Sequence, residues 1–354
     1  MKRTAKYVGL DVHQATTAVS VRDTSGRVIA RDVVATDEAS LIDFLGRMRG
    51  SVRVALEEGT QAQWLHDLLE PVADRVVVCD RRGKAKRGNK GDQVDADELS
   101  RLLREGSLRP VYHGSTHGAS LRELARTYQT VVIDTTRVMQ RLKALFRARG
   151  IKTPGTRVYR PAHRELWLAK LPPGGARFRA EVLYAQLDLL QELRPRAKAR
   201  MVREAQRHAA WQVLNTVPQF GPVRVAQLLA ILRTPWRFRS KRSLWVYCGL
   251  AVTTSTSAEY VLEHGRPVRR RRPPLTRGLN RNHHPVLKQI FKGAANGAIA
   301  HPGPLQDLFL DMLERGVRPE LARLTLARKL AALALRIWKT GEPYDPTHLT
   351  QHAR

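Results

Sequence analysis

The chain has 354 residues, 42% of them hydrophobic, and holds 62 Lys/Arg against 32 Asp/Glu for a formal net charge of +30. That is enough apolar material for a core in two or three domains. It contains no run of about 18 uncharged apolar residues that would cross a membrane, and the apolar run in its basic start is too short for a signal peptide. The two cysteines, Cys79 and Cys248, make no disulfide framework and fit a reducing, cytoplasmic setting.

The charge is unevenly spread. Residues 1–110 hold about 19 Lys/Arg against about 17 Asp/Glu, and the rest about 43 against about 15. The positive field therefore belongs to the chain after residue 110, and such an excess speaks of partners rather than of fold. Nucleic acid is the polyanion it points to.

In chain order, residues 5–34 predict three strands, "KYVGLDV", "TTAVSVRD" and "RVIARDVV", with Ser25-Gly26 as a turn. Links this short force antiparallel pairing. "TDEASLIDFLGRMRG" follows as a helix capped by Thr36 or Asp37 and ended by Gly50. Then come a strand, "SVRVALEEG", a helix stopped near Pro71, a short apolar strand, "DRVVVCD", and a helix closed by Gly106. A meander followed by alternating helices and strands is the ribonuclease H-like order of an α/β domain over residues 1–110.

The segment 119–149 predicts one long helix. Leu121, Leu124, Tyr128, Val131, Thr135, Val138, Leu142 and Leu145 recur at spacings of three and four, which is a coiled-coil seam. A second helical stretch begins near Arg177, and Pro195 should kink or break it. Residues 111–210 thus predict an antiparallel helical hairpin or a helix pair that dimerises. Residues 211–354 predict a mostly α domain. In it, Pro218 and Gly221 make a turn that feeds a helix over Val223–Leu232, similar to a helix-hairpin-helix clamp on a phosphate backbone. The final amphipathic helix stops near Gly341.

The acids of the first domain make a pattern. Asp11 ends the first strand, Glu57 and Glu58 end the fourth, and Asp92 and Asp95 stand one helical turn apart after the fifth. Carboxylates brought to one sheet edge repel one another unless a cation neutralises them. An all-oxygen set suits Mg²⁺ or Mn²⁺, and paired ions about 4 Å apart serve phosphodiester chemistry. Arg81, Arg82, Lys84, Lys86, Arg87 and Lys90 form a basic, glycine-rich link beside that edge, suited to a phosphate backbone.

"YVGLDVHQ", "VALEEGTQAQWL" and "KGDQVDADELSRLL" together resemble the DEDD-type insertion-sequence transposases, whose catalytic domain is RuvC-like. The resemblance continues through "LRELARTYQTVVIDTTRVMQRLKALFRARG", "VPQFGPVRVAQLLAILRTPWRFRSKRSLWVYCGL" and "LARKLAALALRIWKTGEPYDP". It implies catalytic, metal-holding acids. Counted back from Trp64 and Thr60, the second of them is Glu58 rather than Glu57, so the set is Asp11, Glu58, Asp92 and Asp95. The resemblance further implies a nucleophilic serine after "YCGL", which the spacing from Gly249 sets at Ser257, with Ser255 close by. Val252 and Ala258 stand where the family usually has Pro and Gly. Donor and target DNA, a structured guide RNA and a homodimer or homotetramer are the implied partners, with no membrane. The arginines that follow, Arg269, Arg270, Arg271, Arg272, Arg277 and Arg281, suit phosphate contacts. The expected activity is a transposase or site-specific recombinase; the alternative is a Holliday-junction-type endonuclease, which needs the acids and no serine.

Overall fold

Strand β1 (Ala5–Val12) runs through the middle of a five-stranded sheet of order β3-β2-β1-β4-β5. The structure, a computed structural model, describes residues 4–80, 91–113, 118–255, 260–269 and 275–347. They divide into two compact units, Met1–His117 and Gly118–Arg354, each taken by itself below.

In the first unit β2 (Thr16–Arg22) and β3 (Val28–Ala35) complete the antiparallel meander. Helix α1 (Glu38–Gly46) starts on Asp37, whose carboxylate accepts from the Ser40 N–H at 2.8 Å, a side-chain cap for an otherwise unpaired donor. β4 (Ser51–Glu57), α2 (Ala62–Leu69), β5 (Arg75–Cys79) and α3 (Asp92–Glu105) follow. β4 pairs with β1, and β5 with β4, both parallel. The α/β class and the ribonuclease H-like order are those the alternating pattern predicts.

Side chains alternate across a sheet, so its two faces take different partners. Val8, Leu10, Val54 and Leu56 pack with Leu41 and Leu45 of α1 and Leu65 and Leu69 of α2. Ala55, Val77 and Tyr7 pack on the opposite face with Leu103 of α3. There α3 sits close because position 9 is glycine. A Cβ at Gly9 would lie 2.2 Å from the Ala96 carbonyl oxygen and 2.6 Å from the Ser100 nitrogen. Beyond β5, Asp80 and Val111 donate their N–H groups to the carbonyls of Arg109 and Val78, so residues 109–111 cover that edge and carry His113 toward the end of β4.

The second unit is built on α4 (Ala119–Arg147) and α6 (Gly175–Ala205), with α5 (Arg164–Leu168) between them. Val138, Leu142 and Phe146 of α4 share a core with Ala180, Tyr184 and Leu187 of α6, while Leu121 and Tyr128 share another with Met201 and Ala205. That crossing of early with late residues makes the pair an antiparallel hairpin, and the seam predicted from sequence faces α6 of the same chain. The expected break at Pro195 does not occur: α6 runs through it. Pro195 lies on the exposed side, where the carbonyl it leaves unpaired is open to solvent, and the helix is packed both before and after it.

Helices α7 (Trp211–Asn215), α8 (Pro222–Leu232), α9 (Lys241–Tyr247), α10 (Pro285–Ala300), α11 (Pro304–Glu314) and α12 (Pro319–Thr340) close around the base of the hairpin. α12 ends at Gly341, in the left-handed conformation that glycine adopts at least cost. Between α9 and α10 the described residues form short strands, although no periodicity predicts strands there. β6 (Val252–Ser255) pairs antiparallel with β9 (Leu275–Leu279), and β7 (Tyr260–Glu263) with β8 (Arg266–Arg269) across a His264-Gly265 turn. Among the described residues no helix is long and apolar enough to cross a membrane.

Candidate active site

The site forms where β1 and β4 end against the start of α3. The register pairs Leu10 with Leu56, and the next residue on each strand is an acid. Asp11 and Glu57 therefore leave the sheet on the face that carries α3. Asp92 and Asp95 fill the first turn of that helix, a position its macrodipole favours for negative charge.

Electrostatics tie the group together. Burial raises the Asp11 carboxyl above the usual carboxylate range; His13 pulls the other way, and the charges of Asp95, Glu57 and Asp92 push it further up. The Nε2 of His13 lies 3.4 Å from a carboxylate oxygen of Asp11 and 3.4 Å from one of Asp92. One ligand atom each from Asp11, His13 and Asp92 falls within 4.8 Å of the other two. Three acids crowding a half-buried fourth is the circumstance in which a divalent cation lowers the energy of the site, and the carboxylate oxygens among the donors suit Mg²⁺ or Mn²⁺. Sequence does not single out His13. Its only signal there is its place two residues beyond Asp11.

Glu58, the acid that the motif count selects, is not brought to this group. It follows Glu57 by one residue and so projects to the opposite face, toward α2. There its carboxylate meets His113 Nε2 at 2.6 Å. His113 in turn meets the Gln63 side chain at 3.2 Å through Nδ1 and stacks on His66 with ring centroids 5.6 Å apart. A count along the chain cannot tell the two sides of a strand apart; in this structure alternation puts Glu57, rather than Glu58, beside Asp11. Two other acids of α3 are engaged elsewhere. Asp97 accepts from Arg31 at 2.9 Å, and Glu98 from Arg101 at 2.8 Å.

Of the expected nucleic-acid contacts, Arg81, Arg82, Lys84, Lys86, Arg87, Lys90, Arg270, Arg271 and Arg272 lie outside the described residues, as does Ser257. Arg269 and Arg277 lie in β8 and β9, and Arg281 is exposed just beyond β9. The segment that leads toward Ser257 is firmly seated at its start: Gly249 has φ +66, and a Cβ there would meet the His283 ring at 2.4 Å. The turn before α8 does feed a helix N-terminus, with Gly221 as its cap. It opens on a cavity of about 440 Å³ lined by Tyr128, Lys198, Gly221, Arg224 and Gln227 among others.

Two family models match this chain. One, described as a transposase and labelled for the DEDD motif and the element IS110, covers residues 8–148, which include every acid discussed above. The other, described as "Transposase IS116/IS110/IS902 family", covers residues 211–299. No curated protein matches the chain.

Proposed function

The chain belongs to the IS110 family of transposases, and from that premise we propose a metal-dependent recombinase that cuts and rejoins the DNA of a mobile element. The observation that carries the reading is the crowding of Asp11 by Glu57, Asp92 and Asp95 where two parallel strands end against α3. Asp11, Glu57, Asp92 and Asp95 would hold the cation, with His13 beside them. A bound divalent cation supplies positive charge to the scissile phosphate and favours ionisation of the attacking oxygen. The protein residues fix where this happens. The β1–β4 register spaces Asp11 from Glu57, and the seating of α3 on Gly9 sets Asp92 and Asp95 against them.

In this reading, 1–110 is the RuvC-like catalytic part, 111–210 the helical hairpin and 211–354 the part bearing the serine. Ser257, or Ser255 near it, attacks phosphorus. Its Oγ forms a phosphoester bond as a strand oxygen leaves as a hydroxyl, and the reverse exchange rejoins a new end. The positive surplus after residue 110 supports binding of DNA together with a structured guide RNA, and the work on paired DNA ends calls for a homodimer or homotetramer.

The test uses purified protein, DNA carrying the element ends, and Mg²⁺. Cut and rejoined strands are expected on a denaturing gel, and both should vanish with a chelator or with Asp95→Asn. Rejoined product that persists in chelator would end the metal-dependent reading.

A further inference from the structure

An aromatic ring on the second unit stands in water where packing has no use for it. Trp236 lies in the 3₁₀ turn Pro235–Arg237 between α8 and α9 and is 71% exposed. Exposure of so large an apolar ring costs hydrophobic free energy that burial would recover. The turn is nevertheless tightly held. The Thr234 hydroxyl accepts from the Trp236 N–H at 3.4 Å. Pro235 and Phe238 on either side are buried. Arg237 turns inward, donating to the Ile231 and Leu232 carbonyls at 3.0 and 3.3 Å. Lys339 of α12 donates to the Phe238 carbonyl at 2.6 Å and sets its ammonium 5.3 Å from the centre of the Trp236 ring. The ring is thus presented on a fixed base.

Its surroundings select the ligand. No Asp or Glu occurs between Glu204 and Glu259, while Arg239, Lys241 and Arg242 follow Trp236 closely and are exposed. Lys329 of α12 is held below the usual lysine range by burial and by the nearby Lys241 charge, so a further cation lies close to Lys241. A protein partner would have to bring both acids and an aromatic-binding pocket. A strand of nucleic acid brings phosphates and flat bases at a fixed repeat, and base stacking on aromatic rings is insensitive to base identity.

We propose that Trp236 is a stacking platform for an unpaired nucleobase, with Arg239, Lys241 and Arg242 holding the flanking phosphates. The ligand is a single-stranded stretch, of DNA opened during strand exchange or of an RNA loop. In a duplex the bases are stacked on one another and their faces are closed to the ring. The inference adds a binding function to the nucleic-acid reading above and needs none of the acids. Its test runs in chelator with cleavage silent, so its failure leaves the metal-dependent reading intact and the converse also holds.

Full-length protein is titrated onto a labelled oligothymidylate of about 12 nucleotides, an abasic strand of equal length, oligouridylate and a duplex. Wild type should bind the two base-bearing single strands more tightly than the abasic one. Trp236→Ala should erase that preference, a loss on the order of 10- to 100-fold, with duplex and abasic binding nearly unchanged. Trp236→Tyr should keep most of it. A loss on thymidylate alone assigns DNA, on uridylate alone RNA, and on both a site open to either; each supports the platform. If Trp236→Ala melts early, Trp236→Leu gives the same comparison with bulk retained and the stacking face gone. A folded variant that lacks the indole yet prefers bases over the abasic strand as wild type does overturns the proposal, as does a wild-type protein with no such preference.

Discussion

Asp11 and Glu57 leave adjacent parallel strands side by side, on the sheet face that carries α3, while Glu58 turns to the other face and pairs with His113. The two glutamates should therefore fail differently. Glu57→Gln removes a carboxylate from the cation site and should abolish strand cleavage. Glu58→Gln weakens only a supporting interaction, and a reduction limited to about 10- to 100-fold is expected. Single-turnover cleavage at saturating Mg²⁺ separates them, and equal effects would return Glu58 to the site.

Asp11 makes the metal-free protein sensitive to pH. Its carboxyl is raised in the folded state, so the folded protein holds more protons there than the unfolded chain just above the usual carboxylate range. Stability then falls as pH rises through that window and stays at the lower level beyond it. Asp11→Asn should raise the melting temperature in chelator at pH 7 and leave it unchanged at acid pH. Mg²⁺ or Mn²⁺ should stabilise wild type, by about 2.7 kcal/mol at a hundred times its dissociation constant, and Asp11→Asn far less. Calorimetry with and without the cation reads both effects.

Gly9→Ala tests the seating of α3. The new methyl meets backbone atoms of Ala96 and Ser100, which cannot rotate away as a side chain can, so the helix must shift. A destabilisation of about 1–3 kcal/mol or more is expected, with weakened cleavage at temperatures where the variant is still folded. Denaturant unfolding beside a cleavage assay would show it.

Ser257→Ala should remove the covalent protein–DNA adduct trapped by denaturant during the reaction. Ser255→Ala run in parallel decides between the neighbouring hydroxyls. Cleaved strands without any adduct in wild type would point instead to a plain metal-dependent endonuclease.

The arginines from Arg269 to Arg272 should set the salt response. Duplex affinity is expected to fall linearly on a log–log plot by about 0.9 per phosphate neutralised. Replacing the four by serine should flatten that slope by about 1 for each phosphate no longer neutralised. An unchanged slope would place the run away from DNA.

Much of the first unit is legible in the sequence because local signals agree. Apolar runs, the Ser25-Gly26 turn, the Asp37 cap and Gly106 lead to the strand and helix order seen in the sheet, and the spacing of Asp92 and Asp95 places both on the first turn of α3. What escapes is whatever depends on side rather than on order. Glu57 and Glu58 are neighbours in sequence, and only pairing with β1 shows which of them meets Asp11. His13 carries no periodic signal, and the fold alone brings it to Asp92. β6 to β9 are four or five residues each, too short to show a period, and β6, β8 and β9 carry Thr or Arg where an apolar alternation would announce them. Pro195 is a helix breaker in isolation, and packing against α4 outweighs it.

The hairpin of α4 and α6 has two cores, one at its base and one near its tip. Helix α4 has 29 residues, so at 1.5 Å per residue it is about 44 Å long. A tilt of about 5° where it joins the base would then carry the far end through about 4 Å, which is more than a hydrogen bond's reach. The length of the hairpin thus multiplies any tilt at its base into a several-fold larger displacement at its tip.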